Sequence, residues 1–183
     1  LGADVVCDAR ADAGVDVRVV PPPMLKDGVT LSCGGSATLA RILLGVLAGG
    51  GIDAVVDGSP MLRQRPMERV ARPLNAWFGR DVVTLDGGRL PARVHKGRPP
   101  PSSWTAREEL LPSAQVRSAL TYAAIAARRP FPLLPDREGP WRQHLEELCD
   151  QLGIAGSDPR VHAFDVDVPG DPSSAAFLQG LAA

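Results

Sequence analysis

An α/β (α+β) domain built from repeated βαβαββ units is what this sequence predicts, on three observations. Short runs of β-branched residues alternate with longer stretches of helical periodicity. The order strand, helix, strand, helix, strand, strand occurs once and then occurs again, as an internal repeat does. Two helix starts of the same small-residue kind, Ser36-Ala37 and Ser113-Ala114, lie 77 residues apart, and Ser174-Ala175 begins a third. Of 183 residues, 44% are hydrophobic and 22% charged, enough apolar material for a real core.

The elements follow in chain order. Val5 to Cys7 and Val15 to Val20 read as strands, the second with Val15, Val17 and Val19 alternating, and Pro21-Pro22-Pro23 closes that unit. Leu31 to Gly35 is a short approach to a helix running from about Ser36 to Leu47. Ile42, Leu43, Leu44 and Leu47 form its apolar side, and Gly49-Gly50-Gly51 stops it. Ile52 to Val56 is a strand, and a loop carries Arg63 and Arg65. Pro66 suits the first position of a helix reaching about Phe78. Strands follow near Val82 to Leu85 and Ala92 to His95, then a proline-rich linker from Lys96 to Ser103. Ser113 opens a third helix to about Arg128, and Phe131 to Leu134 is a strand. Trp141 to Leu152 is a fourth helix with Leu145, Leu148 and Leu152 on one face, and Val161 to Val168 alternates as a strand. Pro169-Gly170-Asp171 turns the chain, and Asp171 or Ser173 caps a fifth helix.

Composition narrows the function. With 20 basic and 21 acidic residues the formal charge is −1, which argues against a general nucleic-acid surface and leaves room for a local cationic pocket. Only Lys26 and Lys96 are lysine, and the other basic residues are arginines. Arginine forks suit carboxylate and phosphate, although coding bias raises arginine too. Cys7, Cys33 and Cys149 show no disulfide framework or zinc spacing, and His95, His144 and His162 share no metal spacing, so no metal is expected. A reducing, cytoplasmic setting is the expectation. The longest apolar run, Ile42 to Ala48, is far short of a membrane span, and no basic segment leads into an apolar one at the start. Leu1 falls inside an expected strand and Ala183 inside an expected helix, as in a piece cut from a longer protein. Gly49-Gly50-Gly51 follows a helix and lacks dinucleotide-binding spacing. Helix N-termini carry partial positive charge and free N–H groups, so several aimed at one place suit an anion. The same serines also serve as plain N-caps.

Four segments carry a resemblance. Leu31-Ser32-Cys33-Gly34-Gly35-Ser36-Ala37-Thr38-Leu39-Ala40-Arg41 resembles the CGNSGTTxR segment of the 5-enolpyruvylshikimate-3-phosphate synthase (3-phosphoshikimate 1-carboxyvinyltransferase) family. Asp57-Gly58-Ser59-Pro60-Met61-Leu62-Arg63-Gln64-Arg65-Pro66-Met67 is similar to its GDxSLxxRPM segment. Leu111-Pro112-Ser113-Ala114-Gln115-Val116-Arg117-Ser118-Ala119-Leu120 resembles PSAQVKSALL, and Val168-Pro169-Gly170-Asp171-Pro172-Ser173-Ser174-Ala175-Ala176-Phe177 resembles VPGDxSSAAFF. The order is the family's, and the resemblance covers nearly the whole chain.

The resemblance implies one lobe of the two-domain enolpyruvyl transferase fold over 1–168, with the active site between the lobes. The end of a first repeat would occupy 1–28, a second repeat 29–98, a third 99–168, and the crossover into the other lobe 169–183. It implies transfer of the enolpyruvyl (carboxyvinyl) group of phosphoenolpyruvate to the 5-hydroxyl of shikimate 3-phosphate in chorismate (aromatic amino-acid) biosynthesis. No cofactor, nucleic acid or membrane is implied, and the complete protein would be a monomer. The second lobe, in the same or another chain, would supply the main acid and base.

Carried over by motif, Ala37, Arg65 and Gln115 would face phosphoenolpyruvate, while Ser113, Ala114, Gln115 and Asp136 would face shikimate 3-phosphate. Gly35, Thr38 and Arg41 would support them, and Arg41, one turn into its helix, suits packing as well as ligand contact. Arg63 has no counterpart and reads as surface. Several positions depart from the pattern. Gly35 replaces an asparagine, and Ala37 replaces the usual glycine, as in glyphosate-tolerant forms. Asp136 in Pro135-Asp136-Arg137-Glu138-Gly139 stands near a phosphate-binding serine of the family, and a carboxylate about 4 Å from a phosphate costs on the order of 1 kcal/mol in water. Two other readings stay open: a divergent homologue acting on another cyclitol or a sugar-nucleotide, and a non-catalytic anion-binding lobe.

Overall fold

The computed structural model describes residues 4–9, 15–20, 26–110 and 113–130. β1 (Asp4–Ala9) and β2 (Val15–Val20) form an antiparallel pair with Asp4 opposite Val20 and Ala9 opposite Val15. Val5, Val6, Val17, Val19 and Val20 of this pair stay exposed.

The second sheet positions the site. Its strands are β3 (Val29–Ser32), β4 (Ala54–Asp57), β5 (Val83–Asp86) and β6 (Arg89–Val94), in the order β3-β4-β6-β5. β3 and β4 are parallel, Leu31 opposite Val56, and α1 (Ala37–Gly50) makes the crossover between them. The other pairings are antiparallel. β5 and β6 join through Gly87-Gly88, both at positive φ (55° and 78°), as a tight two-residue hairpin turn requires. β6 alternates cleanly, with Leu90, Ala92 and Val94 buried between exposed Arg89, Pro91 and Arg93.

α3 (Glu68–Phe78) buries Val70, Ala71, Leu74, Trp77 and Phe78, a stripe of helical period. α1 buries Ala40, Leu44, Leu47 and Ala48. Both contact the sheet, and α4 (Ala114–Ala127) packs on α1 and α3 through Val116, Ala119, Leu120, Ala123 and Ala124. Trp104 extends this core by stacking on Trp77 at 5.9 Å.

Several expectations are corrected. Leu31 belongs to β3, a four-residue strand in which half-buried Val29 and Leu31 alternate with exposed Thr30 and Ser32. The expected loop at Arg63 contains a one-turn helix, α2 (Pro60–Arg63), capped by Ser59 Oγ accepting from Leu62 N at 3.3 Å. Pro66 does not open α3: Met67 is the N-cap, its side chain fully buried and its N–H donating to Gly88 O at 3.0 Å. α1 runs through Gly49 and Gly50, and Gly51, at φ 64°, ends it. β6 begins at Arg89, because Pro91 falls beside the register shift at Leu85/Asp86, where the ladder does not use its missing N–H. A 3₁₀ turn, Glu108–Leu110, precedes α4. The expected elements at Phe131 to Leu134, Trp141 to Leu152 and Val161 to Val168, and the segment 169–183, lie outside the described residues, as do Asp136, His144, Cys149, His162 and Ser174.

Candidate functional site

The site begins where β3 enters α1. Cys33 N donates to Asp57 O at 2.8 Å, holding the turn against the end of β4. Cys33 is 4% exposed, and burial, with Asp57 second, pushes its thiol pKa up, so it packs as a neutral group. Ser36 Oγ accepts from Leu39 N at 3.2 Å and caps α1. Ser113 holds the matching position at α4, but its hydroxyl makes no capping bond and its side chain is exposed. The two serines therefore part ways: one is an ordinary cap, the other a donor turned to the surface.

α1 and α4 lie against each other through glycine. A Cβ on Gly45 would stand 2.1 Å from Ala119 O, and one on Gly49 2.1 Å from Ala123 O. Arg41 meets Gln115 at the same offset, 74 residues, so the helices run in the same direction. Their N-termini sit at one end, where the partial positive charges of both helices add.

At that end three side chains interlock. Gln115 Nε2 donates to Thr38 Oγ1 at 2.9 Å, and Arg41 Nη1 donates to Gln115 Oε1. Arg41 Nη2 also reaches Pro66 O at 3.4 Å, tying α1 to the segment that carries Arg65. Burial, then the charges of Arg65 and Arg69, hold the Arg41 guanidinium below the ordinary arginine pKa, although arginine keeps its proton at neutral pH. Like charges gathered in this way favour an anion between them. Among the described residues no carboxylate pairs with Arg41, Arg65 or Arg69.

Of the residues singled out in the sequence, Thr38, Arg41 and Gln115 are brought into direct contact, with Arg65 in electrostatic range. Half-buried Ala37 and exposed Gly35 flank the start of α1, and exposed Ser113 and Ala114 the start of α4. Arg63 is 53% exposed, as expected of a surface residue, but forms a two-point fork with Asp57. Sequence reasoning missed Arg69 and Asp57. Arg69 follows Arg65 by four residues in an arginine-rich stretch, a weak signal, and Asp57 heads the segment similar to GDxSLxxRPM without a role of its own there. Hollows beside α3, one bounded by Arg72, Trp104 and Arg107 and another by Glu68, Asn75 and Gly88, are lined by none of these site residues. Among the described residues no three His, Cys, Asp or Glu side chains gather to hold a metal ion.

Comparison with known proteins places the chain beside one family. The family model described as EPSP synthase (3-phosphoshikimate 1-carboxyvinyltransferase) matches residues 1–183. A 3-phosphoshikimate 1-carboxyvinyltransferase of Anaeromyxobacter sp. (strain Fw109-5) is 38% identical over 194 residues, which takes in 100% of this chain and 43% of the relative. One from Halorhodospira halophila is 38% identical over 160 residues, 81% of this chain and 34% of its own length. The solved EPSP synthase from Acinetobacter baumannii superposes with a TM-score of 0.68 at 25% identity, over 94% of this chain and 41% of that one.

Proposed function

The chain belongs to the EPSP synthase (3-phosphoshikimate 1-carboxyvinyltransferase) family, and from that premise we propose that it forms most of one lobe of an enzyme transferring the enolpyruvyl group of phosphoenolpyruvate to the 5-hydroxyl of shikimate 3-phosphate. The observation that carries this reading is the parallel pairing of α1 with α4, which sets Thr38, Arg41 and Gln115 at two adjacent positive helix ends beside Arg65. Both substrates are anions, and such a surface is built for anions.

In this reading Arg65 grips phosphoenolpyruvate with a two-point fork, beside Ala37. Gln115 lies against both substrates and donates to phosphoenolpyruvate the Nε2 proton that Thr38 leaves unused. Ser113, beside Ala114, donates its uncommitted hydroxyl to the acceptor's 3-phosphate, with Asp136 bordering the same group. Gly35, Thr38 and Arg41 support them. The acceptor's 5-hydroxyl oxygen bonds to C2 of phosphoenolpyruvate as C3 takes a proton. Loss of a C3 proton and cleavage of the bond from C2 to the phosphate oxygen then give the enol ether and inorganic phosphate. The fixed charges and dipoles hold the anionic substrates together without reorganising, and a facing lobe supplies acid and base. The same proposal divides the lobe at 1–28, 29–98 and 99–168, makes 169–183 the crossover, and places a cofactor-free, monomeric enzyme in the cytoplasm. Among the described residues no helix is long and apolar enough to cross a membrane.

The test is phosphate release by the full-length polypeptide that carries these residues. Release that requires both substrates together is expected. No release, or equal release from phosphoenolpyruvate alone, overturns the reading.

A further inference from the structure

Arg65 sits on an exposed segment, yet the chain leading to it is tightly fixed. Asp57, the last residue of β4, is 20% exposed at its side chain. Its Oδ1 accepts from Gly58 N at 2.8 Å and from Arg63 Nε at 2.8 Å, and its Oδ2 accepts from Arg63 Nη2. One carboxylate thus joins the end of β4 to the end of α2. Between them, Ser59 N donates to Gly34 O at 2.7 Å, pinning this loop to the turn before α1. Gly58 has no space for a side chain, since a Cβ would lie 2.5 Å from Leu62 Cδ2 and 2.7 Å from Gly34 O. Beyond the fork, Arg65 N donates to Leu62 O at 2.9 Å, and Pro66 O receives Arg41. The backbone from Asp57 to Pro66 is therefore held at both ends and in the middle.

An ion pair whose arginine is 53% exposed adds little to stability. What a two-point fork does supply is direction. Resting on the transferase reading above, we propose that the Asp57–Arg63 fork is a positioning device that sets Arg65 against phosphoenolpyruvate and leaves acceptor binding untouched. Asp57 and Arg63 touch no substrate in this scheme. They act through the α2 turn.

The test uses the full-length polypeptide with Asp57→Asn, Arg63→Gln, the double variant and Arg63→Lys. Each of the first two is expected to raise the KM for phosphoenolpyruvate about 10-fold, the scale of one charge-assisted hydrogen bond, with kcat and the KM for shikimate 3-phosphate within about two-fold. The double variant is expected to be no worse than either single one, because the pair acts as a unit. Arg63→Lys, which keeps the charge without the fork, recovers only part of the loss. Unchanged KM values, additive losses, or a parallel change in both KM values and kcat alongside a fallen melting temperature would overturn the proposal. A parent enzyme that releases no phosphate would instead remove the transferase reading, and this inference with it.

Discussion

Gln115 is the residue on which the site turns. Its amide has one acceptor oxygen, taken by Arg41, and two donor protons, one given to Thr38. Gln115→Ala leaves both partners without their bond. A loss of about 1–3 kcal/mol, or roughly 10- to 100-fold in kcat/KM, is expected from steady-state kinetics of the full-length polypeptide. The serines make a contrast that needs only a denaturant titration and a binding measurement. Ser36→Ala removes a cap and is expected to cost about 1 kcal/mol of stability. Ser113→Ala, which breaks no capping bond, is expected to spare stability and weaken shikimate 3-phosphate binding. Equal stability losses in the two would show that Ser113 is a cap as well. The motifs made Arg41 and Gln115 legible in the sequence, but not their contact, because nothing local records a bond across 74 residues. Arg69 and Asp57 were illegible for a different reason. Arg69 lies outside the quoted segments and Asp57 only opens one, and a charged residue so placed looks the same whether it faces solvent or a partner.

Elements show the same division. On α1 the apolar period finds Leu44 and Leu47 of the core stripe, while Ile42 and Leu43, expected beside them, are only half-buried and Ala40 and Ala48 complete the stripe. Element ends were less legible, since tertiary contacts set them: buried Met67 starts α3, and packing against α4 carries α1 through Gly49. A triple glycine reads locally as a stop, yet Gly49 is where α4's backbone comes closest. Gly49→Ala or Gly45→Ala drives a Cβ into a backbone carbonyl of α4, so the helices must part. An overpacking cost of about 1–3 kcal/mol is expected, read as a lower urea midpoint at unchanged slope. Catalysis is expected to fall as well, because parting the helices separates Gln115 from Thr38. A midpoint equal to that of the parent protein would contradict the close packing.

For the molecule as a whole, the proposed function makes this chain the source of half an active site. The chain spans 43% of the length of its Anaeromyxobacter relative. Two salt-linked carboxylates make a small contribution to stability that acid removes. Arg63 holds Asp57, and Lys96 with the Asp53 N–H holds Asp27, each below the ordinary carboxylate pKa. Their contribution is therefore fully present above the unfolded value of about 3.9 and is lost as pH falls through the lower folded values. Melting temperature is expected to be insensitive to these groups from neutral pH down to about pH 5 and to decline below about pH 4, with Asp57→Asn flattening the decline. The most direct test of the whole scheme is a crystal structure of the full-length protein with shikimate 3-phosphate and phosphoenolpyruvate bound. The expected result places both ligands at the paired N-termini of α1 and α4, with Arg65 and the second Nε2 proton of Gln115 in hydrogen-bond contact with phosphoenolpyruvate. Ligands bound elsewhere, with Gln115 touching only Thr38 and Arg41, would contradict it.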